Sequence, residues 1–399
     1  MFARFVFPTV SFLTVFLSTA FFSSVTAALD EESGMQFQLE NQLSYNDNFL
    51  YSDQQTKGGW ILETLPSLSF TALNRDNSYQ VFYRMEHSEN FESSDDSYTD
   101  HVAGIKLRHN LSSRHQIQLA SKFSNITEQR GTGFSEGENA NLLTSPDDFR
   151  QMNHRLAYRF GSQQAKGRLN LSAERLEMDY DSSIVGDSRD HSTVTLGAAF
   201  NYRLAPKTDV VLEYRQADTD YDHQPLGLSG AVNLDSDESY RLIGLDWDAT
   251  AKTSGKIRVG KSNRKFDDAS LASDDNFHWE AEISWRPKTY SELVLKTRRL
   301  SSETNGLGNY INSQDYQFSW HHAWNGRFRH QLDLGYTDDK FEASSRTDEV
   351  SRAGLKFTYD MRRWLDLGAG YRYNERDSDV AAVQYEQNIF FVSADILLD

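Results

Sequence analysis

One hairpin pattern, repeated along almost the whole chain, most constrains how this sequence can fold. Between Tyr316 and Asp338, apolar residues alternate with polar ones along two arms. The arms are joined by Asn325 and Gly326, a pair that favours a tight hairpin turn with positive φ at both positions. Since successive side chains of a strand point to opposite faces, each arm has one apolar face and one polar face.

The repeats of this pattern predict eighteen strands. We expect them to start near Met35, Trp60, Tyr79, His101, His115, Phe149, Lys166, Thr193, Thr208, Ser239, Gly255, Asn276, Ser291, Ser313, Phe328, Glu349, Trp364 and Ala381. Short and long connections alternate between them without a break, which is typical of a transmembrane barrel with short periplasmic turns and long extracellular loops. The predicted fold class is all-β, a single closed antiparallel up-and-down β-barrel. The alternation is irregular near Pro66 and Arg175, and a β-bulge is one explanation.

The composition is compatible with membrane-spanning strands, although its average hydropathy resembles that of a soluble protein. Mean hydropathy is -0.65, which would normally describe a soluble chain. Transmembrane strands escape such an average because every second residue is polar. The apolar faces would contact lipid and the polar faces would line water. The alternative is a soluble β protein with its tryptophans in the core.

Several classes of function are disfavoured by composition. The chain has no cysteine, which excludes disulfides, thiolate metal sites and a cysteine nucleophile. A formal net charge of -17 disfavours nucleic acid as a partner. No cofactor and no metal are expected, and no loop has the spacing of an EF-hand. His321 and His322 are adjacent and therefore face opposite ways, and no Ser/His/acid set can be identified, so we expect no enzyme.

The N-terminus predicts a secretory signal peptide. Arg4 precedes an apolar run from Phe5 to Phe22, and Val25-Thr26-Ala27 supplies the small residues for cleavage near Ala27 or Ala28. A transmembrane anchor is the alternative. The predicted division is 1–27 signal peptide, 28–34 short periplasmic segment and 35–399 outer-membrane barrel. With only residues 28–34 before the first strand, we expect no N-terminal plug, so any constriction must come from the long loops Asn125–Asp148 or Asp218–Glu238.

Aromatic and charged residues give the barrel wall its predicted sites. Amphipathic rings prefer the membrane interfaces, and the expected interface aromatics are Trp60, Trp247, Trp279, Trp285, Trp324 and Trp364. The predicted lumen-facing basic residues are Arg84, Lys106, Arg108, Lys122, Arg155, Arg159, Arg168, Arg203, Arg215, Arg258, Lys296, Arg298, Arg329, Arg352, Lys356 and Arg372. The acids that share that face are fewer: Glu86, Glu174, Glu213, Glu280, Glu282, Asp333 and Asp366.

A basic lumen beneath acidic loops favours anionic solutes, because charged rings in a pore select by sign. The alternative is that these charges pair across strands and only fill the lumen. The acidic loops are either simply solvated or hold divalent ions that bridge to lipopolysaccharide, since such ions prefer carboxylate oxygens.

Two short segments carry a family resemblance. The run Leu43–Leu50, which includes Tyr45-Asn46-Asp47-Asn48-Phe49, and the run Glu128-Gln129-Arg130-Gly131 resemble the outer-membrane β-barrel porin family associated with exopolysaccharide biosynthesis and export loci. The resemblance implies an outer-membrane channel, in some members the exit for a secreted polysaccharide, acting with a periplasmic polysaccharide-export protein. It implies no catalytic residues. The C-terminal Asp399 departs from the aromatic residue that usually ends such barrels.

The sequence therefore favours a channel in the outer membrane of a Gram-negative bacterium that exports an acidic exopolysaccharide. The expected partners are outer-membrane lipid or lipopolysaccharide, the polysaccharide and a periplasmic polysaccharide-export protein. The alternatives are a general diffusion porin for small anionic solutes, a structural or adhesive outer-membrane barrel, and a barrel hydrolase.

Overall fold

The strands of this chain close into one ring. The computed structural model describes residues 33–398 except 142, 182–185, 224, 225, 228, 229 and 251. Each strand pairs antiparallel with its neighbour in sequence, and the last pairs with the first from Phe37↔Leu398 to Asn46↔Ile389. The strands are β1 Gly34–Asn46, β2 Gly59–Asn74, β3 Asn77–Asn90, β4 Tyr98–Ser112, β5 His115–Glu128, β6 Asp147–Phe160, β7 Gly167–Asp181, β8 His191–Ala205, β9 Thr208–Tyr221, β10 Ser236–Thr250, β11 Thr253–Phe266, β12 Asp274–Lys288, β13 Ser291–Glu303, β14 Tyr310–Ala323, β15 Phe328–Glu342, β16 Thr347–Arg362, β17 Leu365–Ser378 and β18 Tyr385–Leu398. The predicted fold class, a closed all-β antiparallel barrel of eighteen strands, is confirmed.

The connections lie at two ends of the barrel. At the outer end the loops are L1 47–58, L2 91–97, L3 129–146, L4 182–190, L5 222–235, L6 267–273, L7 304–309, L8 343–346 and L9 379–384. At the inner end the turns are 75–76, 113–114, 161–166, 206–207, 251–252, 289–290, 324–327 and 363–364. Short 3-10 helices occur in L2, L3, L4 and L9. L5 holds a small hairpin whose two strands, Leu226–Gly227 and Gly230–Ala231, are two residues long each. No helix among the described residues is both long and apolar enough to cross a bilayer.

Three local details differ from the simplest reading of the sequence. Ala381 does not start a strand, because Ala381–Val383 forms a 3-10 turn and β18 begins at Tyr385. Pairing continues in one register past Pro66 and Arg175, so neither marks a bulge. Proline only interrupts the ladder toward β3, because it has no N–H to donate. The register shifts that do occur lie beside inner turns, as between Asp360 and Arg362.

The Asn325–Gly326 hairpin exists, but its turn differs from the expected one. Neither residue has a positive φ. The turn spans residues 324–327, and the side-chain oxygen of Asn325 accepts hydrogen bonds from the backbone N–H groups of Arg327 at 2.9 Å and Phe328 at 3.0 Å. This local capture of backbone donors by asparagine is a common alternative to the two-residue turn.

The two faces of the sheet have opposite chemistry. Outward positions carry large apolar side chains with high exposure, among them Phe70, Leu196 and Phe390. Exposed apolar surface of this extent is expected where lipid covers it. The predicted interface tryptophans occupy outward strand positions or the inner turns. Trp60, Trp285, Trp324 and Trp364 are exposed, while Trp247 and Trp279 are half-buried. The predicted signal peptide, residues 1–27, lies outside the described residues and stays a prediction.

Candidate functional site

The register places all sixteen predicted basic residues on the inward face of the barrel wall. It brings many of them to carboxylates. Those with an acid within 4 Å include Arg155, Arg168, Arg203, Arg215, Arg258, Lys296, Arg298, Arg329 and Lys356. Inward acids that the sequence analysis did not identify supply several of these partners, namely Glu40, Asp209, Asp246, Asp315 and Asp395. Their positions follow the same strand alternation, so the signal was present in the sequence.

One wall of the lumen, on β9–β12, is a network of ion pairs. Arg215 donates to Glu280 at 2.8 Å, and Arg258 donates to Glu213 at 2.9 Å and to Asp246 at 2.6 Å. Charges held this way largely cancel one another's field at a distance. On this wall the alternative of pairing across strands describes the structure better than a uniformly basic surface.

The wall formed by β4–β6 is different. Its inward positions carry Lys106, Arg108, Lys122, Arg155 and Arg159, which we term the basic stripe. The acids on the inward face of β4–β6 all lie at the outer ends of these strands. From the basic stripe down to the inner turns, the inward face of the three strands carries no acid. At a rise of about 3.3 Å per residue the stripe extends roughly 20 Å along the strands.

Charges on the neighbouring strands β3 and β7 compensate the basic stripe only in part. Glu174 on β7 lies 3.9 Å from Arg155, a separation at which an ion pair is weak. Two further cations, Arg168 on β7 and Arg108 on β4, lie near Arg159. Arg84 extends the basic surface onto β3. The lumen is therefore asymmetric: the wall on β4–β6 is rich in cations, whereas the charges on β9–β12 are paired with one another.

The two segments that carry the family resemblance meet in space at the outer mouth. Gly131 has φ of 87°, and a Cβ there would overlap the backbone carbonyl of Leu50 in L1. The hydroxyl of Tyr51 donates to the side-chain oxygen of Gln129 at 3.0 Å. Burial, and then the nearby Tyr385, raise the pKa of Tyr51 to about 12, so this phenol remains a neutral donor. Segments about eighty positions apart in sequence thus form one joint between L1 and L3.

Charged residues anchor the root of L3 to the surrounding loops. Glu128 accepts two hydrogen bonds from Arg189 of L4, at 2.8 and 3.0 Å. Arg130 donates to both carboxylate oxygens of Asp96 in L2 and to the backbone carbonyl of Leu143 at 2.9 Å. The hydrogen bonds to Asp96 raise the pKa of Arg130 above its usual value. These contacts direct L3 inward over the lumen.

The tip of L3 is tied to the far side of the ring. Glu136 accepts hydrogen bonds from Arg346 of L8, from Arg376 of β17 at 2.7 Å and from Asn305 of L7 at 2.9 Å. Although burial disfavours its charge, hydrogen bonds to Asp348 and Glu136 raise the pKa of Arg346 above its usual value. We term this set of contacts the Glu136 latch.

Backbone packing supports the same crossing. A Cβ on Gly137 would lie 2.7 Å from the carbonyl oxygen of Ala382 in L9, and one on Gly306 of L7 would lie 2.7 Å from the ring of Phe134. β5 and β6, which carry L3, stand nearly opposite L7 and L8 in the ring. L3 therefore bridges the mouth of the barrel. Of the two loops expected to be long enough for this, L3 is the one whose described residues do so.

Beneath L1 and L3 lies a chamber of about 370 Å³ in the lumen, next to the seam where β1 meets β18. Its wall includes arginines, side-chain amides, tyrosines and carboxylates from β1–β3 and β16–β18. Three of the predicted basic residues line it, namely Arg84, Arg352 and Arg372. The chamber thus lies at the seam, beneath the covering loops, and Arg84 on β3 is its predicted basic residue nearest to the basic stripe.

The two adjacent histidines of the hairpin at β14–β15 lie on opposite sides of the barrel wall. His321 is on the inward face, whereas His322 is outward and stacks on His330 beside Trp320 and Trp324. This aromatic group lies near the inner turns, on the lipid-facing side. Among the described residues no group of three or more histidine, aspartate or glutamate side chains is arranged to hold a metal ion.

Comparison with known proteins gives a family and a set of similar folds. A family model described as Putative beta-barrel porin 2 matches residues 35–396. The chain is similar to OpdO from Pseudomonas aeruginosa (14% identity, TM-score 0.49, covering 92% of this chain and 98% of that one). It is also similar to OccAB4 from Acinetobacter baumannii (9%, 0.47, 93% and 100%) and to the siderophore receptor PirA from Acinetobacter baumannii (8%, 0.47, 92% and 81%). No curated protein matches significantly.

Proposed function

We propose that this chain, which belongs to the family described as Putative beta-barrel porin 2, is a channel for small anionic solutes whose outer mouth is narrowed by L3. Membership of a porin family places the barrel in the outer membrane of a Gram-negative bacterium and supports a role in transport. An eighteen-stranded barrel is wide enough to enclose water unless loops or side chains fill it.

The observation that carries the proposal is the basic stripe. Five inward cations lie on three adjacent strands, and two of them, Lys122 and Arg159, have no carboxylate within 4 Å among the described residues. These cations give one side of the lumen a positive potential. A positive surface that lines a narrow aqueous path raises the local concentration of anions and lowers that of cations. The paired wall on β9–β12 contributes polarity without opposing this field.

A liposome swelling assay with the purified mature barrel tests the proposal. We expect liposomes that contain the barrel to admit small organic anions faster than organic cations of matched size. Replacing Lys122 and Arg159 with glutamine should reduce that preference. The matched control changes Arg298 and Asp315 together to glutamine and asparagine, because these two residues form an ion pair on β13 and β14, outside the basic stripe. Equal rates for both ion classes, or faster cation entry, would contradict the proposal.

Export of an acidic exopolysaccharide is a second candidate. The Glu136 latch is the observation that favours export. Side-chain contacts hold L3 at its root and at its tip, so L3 could separate from the mouth of a wide barrel without a change in the strands. Release of the tip would clear the mouth for a polymer, and a periplasmic polysaccharide-export protein would be the partner. Deletion of the gene followed by measurement of secreted polysaccharide separates the two candidates, since a small-solute channel would leave secretion unchanged.

A further inference from the structure

We infer that the chamber under L1 and L3 is a binding site for a sugar acid, a ligand with one carboxylate and several hydroxyl groups. The inference rests on the proposed channel function and specifies its substrate class. The chamber volume of about 370 Å³ falls at the lower end of the range of small-molecule sites, roughly 300–1,000 Å³.

Two guanidinium groups in the chamber are available to a carboxylate. Arg84 forms no ion pair with any residue that the structure describes. Arg372 rests over the ring of Phe391 at 4.9 Å, and its buried Nε has no hydrogen-bond partner among the described residues. A planar guanidinium matches a carboxylate with two parallel hydrogen bonds, which makes arginine well suited to this ligand group.

Carboxylates in the same wall argue against a site for a simple anion. Glu63 and Glu86 line the chamber with Arg84, and they would repel an inorganic anion. Ionised carboxylates are pure hydrogen-bond acceptors. They become favourable partners when the ligand also brings hydroxyl donors. The wall therefore selects a ligand that is both anionic and rich in hydroxyl groups.

The roof and the seam add neutral groups that both donate and accept. Gln129 accepts from Tyr51 at 3.0 Å and donates to the hydroxyl of Tyr98 at 3.0 Å, and Tyr98 in turn donates to Glu86 at 3.3 Å. This chain fixes the orientation of the roof over the chamber. Asn374 on β17 uses its amide N–H₂ on Gln387, so its side-chain oxygen is oriented as an acceptor. Preorganised polar groups of this kind give orientation and specificity to small-molecule sites.

Isothermal titration calorimetry on the detergent-solubilised mature barrel tests the inference directly. The probes are sodium galacturonate, galactose, sodium acetate and a trimer of galacturonate. We expect galacturonate to bind at least about tenfold more tightly than galactose or acetate, because each of these lacks one of the two recognised features. The trimer distinguishes a free sugar acid from a unit of a polymer: tighter binding of the trimer favours the polymer.

Two variants localise the site. Arg84→Gln should weaken galacturonate binding by about tenfold while galactose binding stays the same. Arg298→Gln is the control, because Arg298 faces the lumen outside the chamber. Galacturonate binding no tighter than that of acetate would overturn the inference and leave the anion channel intact. If the unmodified barrel binds galacturonate but shows no anion preference in the swelling assay, the proposed function alone would be contradicted.

Discussion

The Glu136 latch makes a quantitative prediction about the outer mouth. In Glu136→Gln one carboxylate that accepts from Arg346, Arg376 and Asn305 becomes an amide. The amide keeps one acceptor oxygen but presents an N–H₂ group to the guanidinium donors. Because Glu136 and Arg346 are almost fully buried, with side-chain exposures of 11% and 4%, solvent cannot readily replace the lost contacts.

The size of the effect follows from these bonds. Hydrogen bonds to charged groups contribute about 1.5–3 kcal/mol each. The substitution removes or weakens two hydrogen bonds to Glu136. Asp348 still holds Arg346 and lies 3.7 Å from Arg376. The net loss is therefore about 2–4 kcal/mol in the free energy of L3 docking. At 1.4 kcal/mol per factor of ten, the population with L3 undocked should rise by about 30-fold to several-hundred-fold.

Single-channel recording in planar bilayers measures this shift. Glu136→Gln should show longer or more frequent high-conductance openings than the unmodified barrel, and L3 should become more sensitive to added protease. Glu342→Gln is the control, since Glu342 pairs at the same rim with Lys340, an exposed lysine that is not part of the latch. If Glu136→Gln leaves both conductance and protease sensitivity unchanged, the claim that this contact holds L3 closed is wrong.

Three further predictions concern other parts of the molecule. Gly131→Ala should loosen the joint between L1 and L3 by at least about 1 kcal/mol, because φ is positive and Leu50 blocks the new methyl group; limited proteolysis of both loops would detect it. Arg189→Ala should destabilise L4 and the root of L3 by about 3–5 kcal/mol, since it leaves Glu128 buried without its partner, and local hydrogen exchange at these loops should rise while the strands stay protected. Mass spectrometry of the barrel purified from outer membranes should give a mature chain that begins just after Ala27 or Ala28, whereas retention of residues 1–27 would contradict the predicted signal peptide.

The strand pattern was predictable because it depends on period-two alternation alone. The number of strands and the placement of Arg84 and Arg159 on the inward face follow from parity, which register then preserves around the ring. Turn details were harder, because the Asn325 side chain competes with backbone hydrogen bonding in a way that a dipeptide rule does not capture.

The electrostatics of the lumen could not be predicted to the same extent. Whether Arg258 is neutralised depends on Glu213 and Asp246, which come from other strands, and only three-dimensional register brings them within reach. The latch was beyond prediction for a related reason. Glu136 finds Arg346 and Arg376 more than two hundred positions away, and no local pattern records such a contact. Only the length of L3 indicated that it could cross the mouth.

The reversal potential of single channels across a gradient of potassium chloride tests the central claim most directly. The measurement applies to the mature barrel, and equally to Glu136→Gln if the latch keeps the unmodified channel closed. The basic stripe predicts a reversal potential with the sign of chloride selectivity, and a shift toward zero when Lys122, Arg155 and Arg159 become glutamine. A reversal potential with the sign of potassium selectivity, unaffected by those substitutions, would contradict the account.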